Sequence, residues 1–62
     1  MDIRKYYDGM TIEQIRADIA AKQAKIKRVD KRTYNGRMIK IFNTIIILEG
    51  ERKLKELLEK SI

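Results

Sequence analysis

The first half of the chain carries isoleucines at the spacing of a helical seam. After Thr11 the apolar positions step by 3, 4, 7 and 3 residues, and Lys22 occupies the position that the longest step leaves out. Thr11 also begins the sequence Thr-Ile-Glu-Gln, in which the Thr11 hydroxyl and the Gln14 side chain are able to cap a helix reciprocally. The pattern predicts a helix over residues 11–33. Its seam consists of Ile12, Ile15, Ile19, Ile26 and Val29.

A second helix is predicted over residues 37–60, where apolar residues again recur with helical spacing. Before it, Asn35-Gly36 is able to adopt the positive φ values that end a helix in a left-handed cap. Gly50 lies inside the second pattern and indicates either a bend or a close crossing of helices. We therefore expect an all-α chain in which two antiparallel helices form a hairpin.

The same Asn-Gly pair supports a competing fold. Asn-Gly between β-tolerant residues is the strongest short-range signal for a β-hairpin. Residues 32–34 and 37–41 are able to pair as strands, which gives an α-ββ-α alternative with its hairpin at Asn35-Gly36. We favour the two-helix fold because the apolar run continues to Leu48 without the polar alternation of a half-exposed strand.

Residues 1–10 precede the first predicted helix. We expect them to form a flexible N-terminal arm before a helical hairpin domain of residues 11–62. The arm contains Asp8-Gly9, which is a turn signal. Its adjacent Tyr6 and Tyr7 are open to two interpretations, order against a partner or packing back over the helix ends.

The start of the second helix is apolar on two neighbouring rows. One row consists of Met38, Ile41, Ile45 and Leu48, and the other of Ile39, Phe42 and Ile46. One helix of the same chain cannot cover both rows, so either a second copy or a different protein is expected to do so. We predict a homodimer that forms a four-helix bundle, because a chain of 62 residues without cysteine has few other ways to gain stability.

Positive charge is concentrated in the middle of the chain. The net charge is +6, and residues 22–40 alone hold eight basic residues and one acidic residue. The rest of the chain is therefore close to neutral. Such asymmetry predicts a polyanionic partner, or an acidic surface of a larger protein, near this segment.

Catalytic chemistry has no visible basis in the sequence. The chain contains no His and no Cys, and its three glycines are too scattered for a phosphate-binding loop. We expect no enzymatic activity, no cofactor, no metal site and no small-molecule substrate. The longest apolar stretch, residues 38–48, is far shorter than the roughly 20 residues of a membrane span. The N-terminus has charges where a secretion signal would be apolar, so we expect a cytoplasmic protein.

Two functional hypotheses remain. The first is a small regulatory protein that binds DNA or RNA through the basic segment, by Lys25, Lys27, Arg28, Lys31, Arg32, Arg37 and Lys40. The second is a small inhibitor or adaptor, of the type that phages and plasmids encode, that binds a larger protein. It would use the apolar side chains of Met38, Ile39, Phe42 and Ile46.

Overall fold

The chain is all-α, with two helices packed against each other as a hairpin. The computed structural model describes residues 2–60; residue 1 of the expected arm and residues 61 and 62 of the expected domain lie outside them. A short 3-10 helix, Ile3–Lys5, precedes helix α1, Ile12–Arg28, and helix α2, Tyr34–Lys60. The predicted hairpin is confirmed, whereas its dimerisation stays a prediction.

Helix α1 begins as the capping box predicts. The Gln14 amide donates to Thr11 Oγ1 at 3.1 Å, and the Thr11 amide donates to Gln14 Oε1 at 2.9 Å. Two amides that the helix leaves unpaired are thereby satisfied. The predicted seam faces α2, and its central members Ile15 and Ile19 are buried.

The connection between the helices lies upstream of its predicted position. Helix α1 ends at Arg28 rather than at residue 33, and α2 begins at Tyr34 rather than at residue 37. The Arg32 amide donates to Asp30 Oδ1 at 2.9 Å, and the Gly36 amide donates to Thr33 Oγ1 at 3.0 Å. Helix α1 ends where Val29 turns extended, and these side-chain bonds to the backbone then form the connection and start α2 before the Asn-Gly pair is reached.

The expected turn at Asn35-Gly36 is therefore wrong, and so is the α-ββ-α alternative. Both residues lie in the first turn of α2, and residues 2–60 contain no strand. Gly36 is needed for space rather than for a positive φ. A Cβ atom there would lie 1.8 Å from the carbonyl oxygen of Asp30, so the connection passes too close for a side chain.

Residues 2–10 fold back onto the hairpin. Gly9, with φ of 79°, turns the chain, and Tyr7 is only 1% exposed. Of the two interpretations of the tyrosine pair, packing back on the helices is confirmed. The flexibility expected of this segment stays a prediction. The buried core consists of Tyr7, Ile15, Ile19, Ile46 and Ile47.

Gly50 marks a close crossing rather than a bend. Helix α2 continues through Gly50, which is buried against α1 and the N-terminal segment. A Cβ atom there would lie 2.8 Å from Ile19 Cδ1 and 2.9 Å from Tyr7 Cε2. The absence of a side chain at this position allows Tyr7 and Ile19 to pack directly against the backbone of α2.

Candidate binding surfaces

The basic candidate residues are distributed over one end of the hairpin. They come from the last turn of α1, from the connection and from the start of α2, and all of them are exposed. The Arg32 side chain is the extreme case, at 93% exposure. The residues in question are Lys25, Lys27, Arg28, Lys31, Arg32, Arg37 and Lys40. The structure thus gathers three separate stretches of sequence at one end of the molecule.

Few of these cations are neutralised within the chain. In the part of the chain that the structure describes, Arg32 is the only one of the seven in an ion pair, with Nε 3.2 Å from Asp30 Oδ1. At the opposite end of α2 the cations are paired with carboxylates. Arg52 bonds Glu49 and Glu56, and Lys60 Nζ lies 3.2 Å from Glu56 Oε1. Positive charge at the basic end therefore remains available to a partner.

Interaction with a helix dipole explains the positions of only some of these cations. Lys25, Lys27 and Arg28 lie in the last turn of α1, where the partial negative charge of the helix terminus stabilises cations. Arg37 lies at the end of the first turn of α2, which contains no acidic residue, and Lys40 lies one turn further. The partial positive charge of that terminus opposes Arg37, so the dipole does not explain the presence of this cation.

A second surface is the outward face of α2. Five of its large side chains recur at steps of 4, 3, 4 and 3 residues, and they are between 44% and 69% exposed. We refer to them as the outer stripe. The outer stripe consists of Tyr34, Met38, Ile41, Ile45 and Leu48. It contains the first of the two apolar rows in the sequence, and α1 packs on the other side of α2.

An open groove lies beside the outer stripe, between α1 and α2. Its volume is ≈ 510 Å³, and Lys22 and Lys25 of α1 form part of its wall. The four residues predicted as a protein interface all line it, namely Met38, Ile39, Phe42 and Ile46. Tyr6 and Asn43 complete the lining. The structure therefore brings the four candidate residues together, although Ile46 is also a member of the buried core.

A polar cluster connects the N-terminal segment to α1 at the edge of this groove. Lys22 Nζ donates to the Tyr6 hydroxyl at 2.7 Å and to Asp18 Oδ2 at 2.8 Å. The Tyr7 hydroxyl donates to the same Asp18 oxygen at 2.7 Å. The spacing of Asp18 and Lys22 signals one of these bonds in the sequence, but the two tyrosine contacts join residues 11 and 16 positions apart and have no local signal.

Burial and hydrogen bonding act against each other on the charges of this cluster. Burial raises the pKa of Asp18, but hydrogen bonds from Lys22 and Tyr7 outweigh it and hold that pKa below its ordinary value. Burial lowers the pKa of Lys22, but bonds with Asp18 and Tyr6 leave it above its ordinary value. Burial, and then the bond to Asp18, raise the pKa of the Tyr7 hydroxyl strongly. The cluster therefore stays charged and hydrogen-bonded at neutral pH, which suits a structural tie.

Comparison of the chain with protein-family models, with curated proteins and with solved structures finds no match. Neither α1 nor α2, within the described residues, has the length and apolar character needed to cross a membrane. Interpretation of the surfaces therefore rests on their own charge, exposure and shape.

Proposed function

We propose that this protein is a small non-enzymatic nucleic-acid-binding protein that acts as a homodimer. The observation that carries the proposal is the set of exposed basic side chains at one end of the hairpin, of which Arg32 alone is in an ion pair within residues 2–60. A DNA or RNA backbone is the polyanion that such a surface fits best, because phosphates are regularly spaced and exposed.

Counterion release supplies the affinity in this proposal. Each Lys or Arg placed against a phosphate frees a condensed cation, so binding weakens as salt rises. Arg28, Arg32 and Arg37 add forked contacts to phosphate or base edges that lysine cannot make. A homodimer doubles the number of basic ends and so increases avidity for a long polyanion.

The test is a binding titration with duplex DNA, single-stranded DNA and RNA at about 50 and about 200 mM salt. The expected result is binding that weakens steeply between the two salt concentrations. Lys27→Glu combined with Lys31→Glu is expected to abolish it. Arg16→Glu combined with Lys55→Glu gives the same change of net charge at exposed positions outside the basic end, and it should retain most of the affinity. No binding of any nucleic acid at the lower salt, or equal loss in both double variants, contradicts the proposal.

The groove favours a second candidate function, an inhibitor or adaptor that binds a larger protein. Four apolar side chains line this groove beside Lys22 and Lys25, a combination that fits an apolar segment with acidic neighbours. Phe42 is half-exposed, so Phe42→Asp should leave the hairpin folded while removing such binding. Circular dichroism checks the fold. Because Phe42 also lies at the dimer interface proposed below, nucleic-acid binding by Phe42→Asp is measured with an oligonucleotide short enough for one basic end, where dimer avidity plays no part. Retention of that binding separates the two functions.

A further inference from the structure

The outer stripe has the geometry of a coiled-coil seam that lacks its partner. Its members alternate by four and three residues over 34–48, which is the spacing at which one helix packs against another. Helix α1 does not cover it, because α1 packs on the face that holds Ile46 and Gly50. The stripe ends at Leu48, since Arg52 and Lys55 occupy its next two positions.

We propose that a second copy of this chain covers the outer stripe, with α2 lying antiparallel to the partner's α2 about a two-fold axis at the level of residue 43. This inference rests on the homodimer of the proposed function and specifies its interface. The occupant is a second copy because the apolar positions of the face match one another in an antiparallel pair and the charges that flank it are of opposite sign.

The register follows from matching apolar positions. In an antiparallel pair of helices, the seam position a of one helix faces the seam position d of the other. Met38 and Ile45 are at a, and Ile41 and Leu48 are at d. Met38 therefore faces the partner's Leu48, and Ile41 faces the partner's Ile45. The two-fold axis repeats both layers, which gives four consecutive apolar layers. Sliding the helices by seven residues in one direction brings Arg52 into these layers. Sliding them in the other direction replaces the two Met38–Leu48 layers by Tyr34–Ile45 layers and leaves Leu48 uncovered. Beside the axis, Phe42 faces the partner's Phe42, which covers a half-exposed aromatic ring.

Charge selects the antiparallel direction. In this register Arg37, on one flank of the stripe, lies opposite the partner's Glu51, and the axis produces this pair twice. A parallel pair would instead place the two basic segments side by side, each with eight basic residues and one acidic residue. The antiparallel pair sends the basic ends in opposite directions and avoids that repulsion.

The absence of cysteine from the chain allows a direct test. We would introduce Arg37→Cys and Glu51→Cys in separate samples, mix them, and treat the mixture with a short bifunctional maleimide. The expected product is a cross-linked dimer in the mixture and little in either sample alone, where the two copies of residue 37 are about 18 Å apart and those of residue 51 about 24 Å apart along the axis. Leu48→Cys is the control for direction, because its two copies are about 15 Å apart in the antiparallel pair but adjacent in a parallel one.

Sedimentation of the unmodified chain at about 100 μM completes the experiment. The expected mass is twice the 7.4 kDa of one chain. A folded monomer overturns both the interface and the homodimer, and leaves the outer stripe to a different protein. A dimer in which Leu48→Cys cross-links to itself, or in which the mixture does not cross-link, overturns the antiparallel register alone. The nucleic-acid titration is independent of these outcomes, so failure of the interface and failure of nucleic-acid binding are told apart.

Discussion

Helix α2 has two apolar faces, and they differ in the size of their residues more than in their hydrophobicity. The inner face carries Gly36 and Gly50 around Ile46, and both glycines leave space that backbone or side-chain atoms of the same chain fill. The outer stripe has no glycine, and its side chains extend into solvent. Glycines at the two places where the rest of the chain packs closest to α2 therefore distinguish the face that the chain uses for its own fold.

This difference bears on how the apolar content of a small protein is interpreted. Hydrophobicity alone predicts two rows on α2, but it does not say that the core takes Ile46 from one row and Ile47, which belongs to neither. Close approach of helices needs small residues at the point of crossing, and those residues lie on one face only. The face without them is the one whose large apolar side chains stay exposed.

Two neighbouring isoleucines offer the largest expected contrast between the faces. Ile46 is 3% exposed and Ile45 is 44% exposed. Ile46→Ala is expected to lower the free energy of unfolding by about 2–5 kcal/mol, because it removes buried methyl groups and leaves a cavity. Ile45→Ala should lower it by about 0.5 kcal/mol in the dilute monomer, where no core contact is lost. Urea unfolding followed by circular dichroism measures both.

Measuring both variants at several protein concentrations tests the same comparison of the two faces further. If the outer stripe is a dimer interface, the effect of Ile45→Ala should grow with protein concentration, because the dimer gains stability by mass action. The effect of Ile46→Ala should persist at every concentration. Equal effects of the two variants in dilute solution would show that the faces do not differ as described.

The fold was predictable wherever it depends on local periodicity. The spacing of Ile12, Ile15 and Ile19 predicts the seam of α1, and the Thr11 capping box predicts its start; the structure agrees with both. The two rows of α2 were also visible, and the four predicted interface residues line one groove. Periodicity works here because helix geometry is the same throughout a regular segment.

The turn and the N-terminal packing were not predictable by the same means. The sequence offers two adjacent helix breaks, and a pattern does not weigh the Asp30 and Thr33 side-chain bonds against the turn preference of Asn35-Gly36. Burial of Tyr7 depends on the space above Gly50, far along the chain. The contact of Tyr7 with Gly50 forms only when the N-terminal segment meets α2, so no local sequence signal predicts it.

Gly36→Ala should have the next largest effect, and it tests whether this glycine is present for space. The new Cβ atom would meet the backbone of Asp30, which cannot rotate away. We expect a loss of about 1–3 kcal/mol in the free energy of unfolding, despite a gain of about 1 kcal/mol in helix propensity.

Gly50→Ala is the matched control for that substitution. Its Cβ atom would meet Ile19 Cδ1 at 2.8 Å and Cε2 of the buried Tyr7 ring at 2.9 Å, so side chains rather than backbone have to shift. The cost of that shift should be partly offset by the same gain in helix propensity, so the net loss is expected to be smaller than for Gly36→Ala. Thermal unfolding of both variants measures this difference in stability. A Gly36→Ala variant more stable than the parent would contradict the close approach of the connection to α2.

The last prediction concerns the polar cluster that joins the N-terminal segment to the inner side of the hairpin, where we expect an effect no larger than that of Gly36→Ala. The folded-state pKa of Asp18 lies below its ordinary value of 3.8. Its contribution to stability is therefore present above that value and is lost as pH falls through the folded-state pKa. Asp18→Asn should cost about 1 kcal/mol at neutral pH, because it removes a hydrogen-bonded charge that is partly open to solvent.

The difference between parent and Asp18→Asn should shrink as the pH falls from about 7 to about 3, since the parent loses the same charge by protonation. Glu49 and Glu56, whose pKa values are also lowered, are present in both proteins, so their contribution cancels in the difference. Urea unfolding at several pH values measures it. A difference that stays constant across this range would mean that the Asp18 charge does not hold Tyr7 and Lys22 in place, and that Tyr7 is held by its packing against Gly50 alone.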